Sequence, residues 1–275
     1  MKTKIYLILT LIFFSLISVA QNDKDMETLS IFSEYVKSKN YDAAYTPWME
    51  LRNRNPKFNK AVFVYGERIL EDKIENSEGE EKIAFINDLI KLWSERSNVF
   101  PNITPQGAYL AKACQLEYNN RELLNKTDDE LYAAFDTAYT TDSKTFTNPK
   151  SLYTYFSLMV DLYDASSKTA QELFNKYDDI SEKVDFEVKN YTNKRNAFLD
   201  EEGEVKELNR KDASRLKSYD SYLKAYDQIA SSIDTKLGSR ANCENLIPLY
   251  TRDFEAYKND GVWLQRAMNS DASLC

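Results

Sequence analysis

Across residues 28–66 the small, apolar and aromatic side chains fall at spacings that helices satisfy and strands do not. Tyr35 is followed by Tyr41, Ala44, Trp48 and Leu51, and Pro56 closes the segment. Ala44, Trp48 and Leu51 are separated by four and three residues, so they share one helical face. Pro56 lacks an amide hydrogen and cannot continue a helix. Gly66 comes ten residues later, inside the next apolar helix. The expected structure is a pair of short antiparallel helices followed by a third. Ala44 is expected where the first two cross closely, since a larger side chain there would push them apart.

This order of residues resembles a tetratricopeptide (TPR) unit, which runs from a small residue through an aromatic and a small or apolar residue to a proline, then a small residue in the next helix. The chain departs from that pattern at Phe32, where a small residue is usual, and at Leu51, where Ala is commoner. The interval from Trp93 to Pro101 repeats that from Trp48 to Pro56, which extends the resemblance over residues 28–101. The run from Phe254 to Trp263 is similar to a junction between successive units. The resemblance is to helical-repeat proteins of the exported bacterial type. It implies an all-α, right-handed superhelix of antiparallel helix pairs that holds peptide segments or other proteins and is not an enzyme. The residues it implies for repeat packing are Tyr35, Tyr41, Ala44, Trp48, Leu51, Pro56, Gly66 and Trp93. Such stacks curve, and their concave face is made by the first helix of each pair. That face would carry Tyr35, Tyr65 and Glu67.

Composition agrees with a helical chain. Only six Gly and six Pro in 275 residues leave little for the tight turns of an all-β fold. Tyr and Phe, at 19 and 14, fit the rings that fill the space between stacked helices. The first 20 residues read as an export signal: Lys2 and Lys4 precede an apolar run, and Ser18-Val19-Ala20 offers small residues for cleavage before Gln21. A retained anchor is the alternative, because the run approaches spanning length. The expected location is outside the cytoplasm, in the periplasm or cell envelope, with membrane attachment only through an uncleaved signal.

Losing Lys2 and Lys4 leaves 34 basic against 44 acidic residues, a mature net charge of -10. That excludes a general nucleic-acid binder, which needs a cationic surface. With no histidine the chain lacks the commonest zinc ligand and general base. An exported chain can form disulfides, and Cys243 with Cys275, about one repeat length apart, is the expected pair. Cys114 is then left as a small hydrophobe on the stripe Tyr109-Ala113-Leu116.

Along the chain, residues 21–166 read as TPR-like repeats behind a polar leader at 21–27. Residues 75–81 read as a solvated loop, with the next helix resuming at Lys82. Thr104 and Pro105 are expected to open a helix as its cap and first residue, and Thr127 with Glu130 to form a capping box. Residues 152–163 are apolar on nearly every face, which predicts a central helix. Residues 167–238 read as a long antiparallel hairpin of coiled-coil type. Its second arm, from Leu216 to Leu237, keeps four-three spacing, and each arm would be about 45 Å long at the helical rise. Whether it projects or packs is open at this level. Residues 239–275 read as a last helix pair, the start of further repeats, whose missing polar closing helix implies more chain or a covering partner.

No phosphate loop, Cys-x-x-Cys, nucleophile elbow or paired-His motif is present in the sequence. No metal, cofactor or catalytic residue is therefore expected. The function expected is a protein–protein interaction scaffold of the cell envelope, with other envelope proteins or peptide segments as partners. The alternative is a carbohydrate-binding helical module that uses exposed tyrosines.

Overall fold

The computed structural model describes residues 22–238 and scattered positions as far as 261. The leader at 1–20, the Cys243–Cys275 pairing and most of the last helix pair lie outside the described residues. Within them the chain is all-α: nine helices, one 3-10 turn, and a single antiparallel bridge between Leu199 and Val205. No described helix is long and apolar enough to cross a membrane. The chain forms two compact units.

The first unit runs to Tyr109 and includes Asn120–Asn125. It contains α1 (residues 22–37), α2 (Tyr41–Arg54), α3 (Ala61–Glu75) and α4 (Gly79–Val99). Asn40 caps α2 by accepting from the Ala43 amide at 3.3 Å, and the helix stops one residue short of Pro56. Pro47 lies inside α2, where it has no amide to donate to the Ala43 carbonyl. Ala44, Trp48 and Leu51 are fully buried, and α2 packs on α3 and α3 on α4.

The meeting of α2 and α3 explains Gly66. The Trp48 indole N–H donates to the Val62 carbonyl at 2.7 Å, in the first turn of α3. A Cβ on Gly66 would lie 2.5–2.6 Å from the indole ring atoms. Only a residue without a side chain lets the ring reach that carbonyl. Arg52 then covers the indole, its guanidinium 5.2 Å from the ring centroid, and reaches α4 to pair with Asp88 and Glu95 at 2.9 Å each.

Two expectations for this unit are corrected. The polar leader is helical from residue 22, and its Asp25 is fully buried. Burial is tolerated because Arg54 and Asn55, at the end of α2, each donate to that carboxylate at 2.8 Å. The acidic loop after α3 is also shorter than expected. Gly79 takes a left-handed φ of +55°, and α4 starts there, with Glu80 and Glu81 in its first turn. Carboxylates at that end favour the helix because they face its positive dipole.

The second unit holds Leu110–Asn119 and everything from Lys126 onward. Leu110–Asn119 are the greater part of α5 (Gln106–Asn119). The unit continues with α6 (Asp128–Thr141), α7 (Pro149–Asp164), α8 (Ala170–Asn196) and α9 (Arg210–Gly238). The expected capping box of α6 is present, and Thr169 with Glu172 makes a second one at α8. Thr104 does not cap α5: the helix starts at Gln106, and the buried Thr104 hydroxyl makes no hydrogen bond. Capping from Thr104 would need the helix to begin one residue earlier.

Helix α7 is the centre of this unit, buried on almost every face as its composition predicts. It packs against α6, α8 and α9, and its Ser151 and Thr154 hydroxyls donate to Ala111 and Gln115 of α5 at 3.0 and 2.9 Å. Helices α8 and α9 are antiparallel, as the pairs Tyr177–Asp234 and Arg195–Asp220 require. Both pack on α7, while most of the residues joining their far ends are exposed, with Phe198, Leu199 and Leu208 half-buried.

Candidate functional site

Of the three residues expected on a docking face, only Tyr35 is given to solvent, at 38% exposure, with Ile31 exposed one turn before it. Tyr65 turns inward. Its ring meets Phe32 edge-on, with centroids 6.2 Å apart, and Arg68 lies 5.8 Å over it. Glu67 faces Arg96 at 3.7 Å. Tyr41 and Pro56 are half-buried, and Trp93 is buried in α4. The exposed part of the expected face is thus carried by α1.

A denser constellation lies in the second unit, around the fully buried Tyr155 of α7. Its hydroxyl donates to Asp136 of α6. Lys176 of α8 donates to the same hydroxyl at 2.6 Å, lies 3.3 Å from Asp136, and sits 4.5 Å over the Tyr155 ring. Tyr132, Phe135 and Tyr139 surround that ring at centroid distances of 5.4–6.0 Å. Sequence reading missed this group, because its polar members lie 19 and 21 residues from Tyr155 and only packing brings them together.

The electrostatics of the group are those of a fastening. Burial, reinforced by Asp136, pushes the Tyr155 phenol far above its ordinary range. Burial and Asp136 do the same to Tyr132, and burial with Asp179 holds Tyr139 at about 12. A catalytic acid or base needs a pKa near the working pH, and these phenols move the other way. The cluster ties α6, α7 and α8 together through charge-assisted hydrogen bonds and a cation held over a ring.

The direction of these shifts sets an alkaline limit on the unit. The unfolded phenols ionise near pH 10, while Tyr139, Tyr177 and Tyr191 are held to about 12 when folded. Between those values the folded state binds more protons, so stability falls as pH rises. A denaturant midpoint that is level to about pH 8, begins to fall as the unfolded Cys114 thiol ionises and drops more steeply above about pH 10 is the expected result; a flat profile to pH 12 would contradict it.

The only described cysteine, Cys114, is buried, and burial first, then Glu117, pushes its thiol up to about 12. Such a thiol holds almost no thiolate at pH 8. Iodoacetamide is therefore expected to leave Cys114 unmodified in the native protein and to label it fully in denaturant, read by mass spectrometry of its peptide.

Among the described residues no group of three or more Cys, Asp or Glu could hold a metal ion. Comparisons with protein-family models, with curated proteins and with solved structures find no match.

Proposed function

We propose that the chain is a non-enzymatic protein–protein interaction scaffold of the cell envelope, built on TPR-like helix pairs. The observation that carries this reading is how helices pack beyond their immediate neighbours in the first unit. Phe32 of α1 meets Tyr65 of α3, and Arg52 and Tyr45 of α2 meet Asp88 and Phe85 of α4. First helices beside first helices, and second beside second, is the arrangement of stacked repeats. It supports α1, with Ile31 and Tyr35 exposed, as the docking helix.

A photo-crosslinking residue placed at Tyr35 in the exporting cell tests the reading. One discrete crosslinked protein is expected, absent when the residue is placed at the exposed Glu80. Equal products from both positions, or none from either, would refute it. Fractionation of the same cells checks the envelope location.

A second reading, a carbohydrate-binding helical module, is favoured by Tyr222, whose ring is stacked on Tyr191 yet stays 41% exposed.

A further inference from the structure

The far half of the α8–α9 pair is slightly basic, although the chain as a whole is acidic. Residues 189–224 hold nine Lys and Arg against seven Asp and Glu, a local balance of +2 in a chain whose net charge is -8. In the same stretch Tyr191 and Tyr222 stack with centroids 4.7 Å apart and planes within 17° of each other. Lys194 sits 4.8 Å from the Tyr191 ring, and Tyr219 packs beside it at 5.9 Å. Tyr191 is thus fixed from several sides and in turn supports Tyr222, which keeps an open surface. That makes a flat apolar platform whose orientation is set before anything binds, which lowers the ordering cost of binding.

The platform's surroundings select the ligand. Lys211, Arg215 and Ser218 precede Tyr222 by eleven, seven and four residues, so they lie on its side of α9, and all are exposed. Arg215 shares its charge with Asp212 at 3.0 Å; Lys194 and Lys211 form no ion pair among the described residues. A partner offering Lys or Arg to the ring would meet these cations and be repelled. A neutral apolar segment would leave them unused. The ring also differs from a track for single-stranded nucleic acid, which needs successive rings in a cationic groove, and the acidic chain repels a dense polyanion at long range.

We infer that Tyr222, with Arg215 and Lys211 two and three turns away on the same side of α9 and Lys194 on its stacking partner Tyr191, is a subsite for an acidic polysaccharide of sparse charge, in which a sugar ring stacks on Tyr222 and uronic carboxylates further along the polymer meet the cations. The inference rests on the carbohydrate reading and adds the charge of the glycan and the place where it binds.

The test is titration of the full chain with a hyaluronan octasaccharide, beside a neutral cello-oligosaccharide, oligoglutamate and oligo(dT). Hyaluronan binding that weakens with salt is expected, with at least tenfold loss in Tyr222→Ala and little loss in Tyr222→Phe. Lys211→Gln with Arg215→Gln is expected to weaken binding and flatten its salt dependence. Helical circular dichroism equal to wild type establishes that each variant is folded. Equal binding of the neutral glycan overturns the acidic assignment and leaves the carbohydrate reading standing. Binding of neither glycan overturns both, and equal binding of oligoglutamate or oligo(dT) reduces the surface to a charge patch and overturns the inference.

Discussion

Gly66→Ala is expected to destabilise the first unit by about 2 kcal/mol, although Ala is the better helix former by about 1 kcal/mol. The added Cβ would start 2.5 Å from the Trp48 ring, well inside contact distance. The indole cannot simply rotate away, because its N–H is held by the Val62 carbonyl at 2.7 Å and its face is covered by Arg52. Either the helices separate, at an overpacking cost of roughly 1–3 kcal/mol, or the ring withdraws and leaves its buried N–H unpaired at a similar cost. Circular dichroism of a denaturant titration reads the loss. The control is Trp48→Phe, whose smaller ring has no N–H to hold. In that background Gly66→Ala should cost at least about 1 kcal/mol less, because residues in contact do not add independently. Equal cost in both backgrounds would mean that the indole is not what Gly66 accommodates.

That pair also shows what a linear reading of the chain can reach. The face of Ala44, Trp48 and Leu51, the burial of α7 on almost every face and the capping box at Thr127 follow from spacing within one helix, and the structure has all three. The charges behave differently. Asp25 sits in a segment that reads as a polar leader, and Arg52 has the composition of a surface residue, yet both are buried. Their partners lie 29 to 43 residues away, and no local pattern announces a partner at that range. Phe146 is a similar case, isolated in a polar connection but fully buried against Phe135 and Tyr139. The candidate face divides along the same line. Tyr35, Tyr65 and Glu67 share a repeat pattern, but Arg68, Arg96 and Phe32 draw Tyr65 and Glu67 inward and leave Tyr35 outside.

The largest loss is expected at a pair that sequence alone makes look ordinary. Lys183 and Glu187 are four residues apart on α8, the spacing of an exposed pair worth a few tenths of a kcal/mol. Instead both are buried, with side-chain exposures of 8% and 2%, and lie 2.7 Å apart. Lys183 also donates to the Lys144 carbonyl at 3.2 Å, and Asn190 donates to Glu187 at 3.1 Å. Beside them the Tyr226 hydroxyl donates to the Thr147 carbonyl, so α8 and α9 both hold the connection between α6 and α7. Glu187→Leu would strand an ammonium away from water, which costs about 3–5 kcal/mol. Adding Lys183→Met removes the stranded charge, and the double variant should recover most of the loss, since an apolar pair of similar volume often matches a buried ion pair. Recovery would show that the pair's cost lies in leaving one charge alone. A double variant as unstable as Glu187→Leu would instead mean that the tie to the Lys144 carbonyl holds this region.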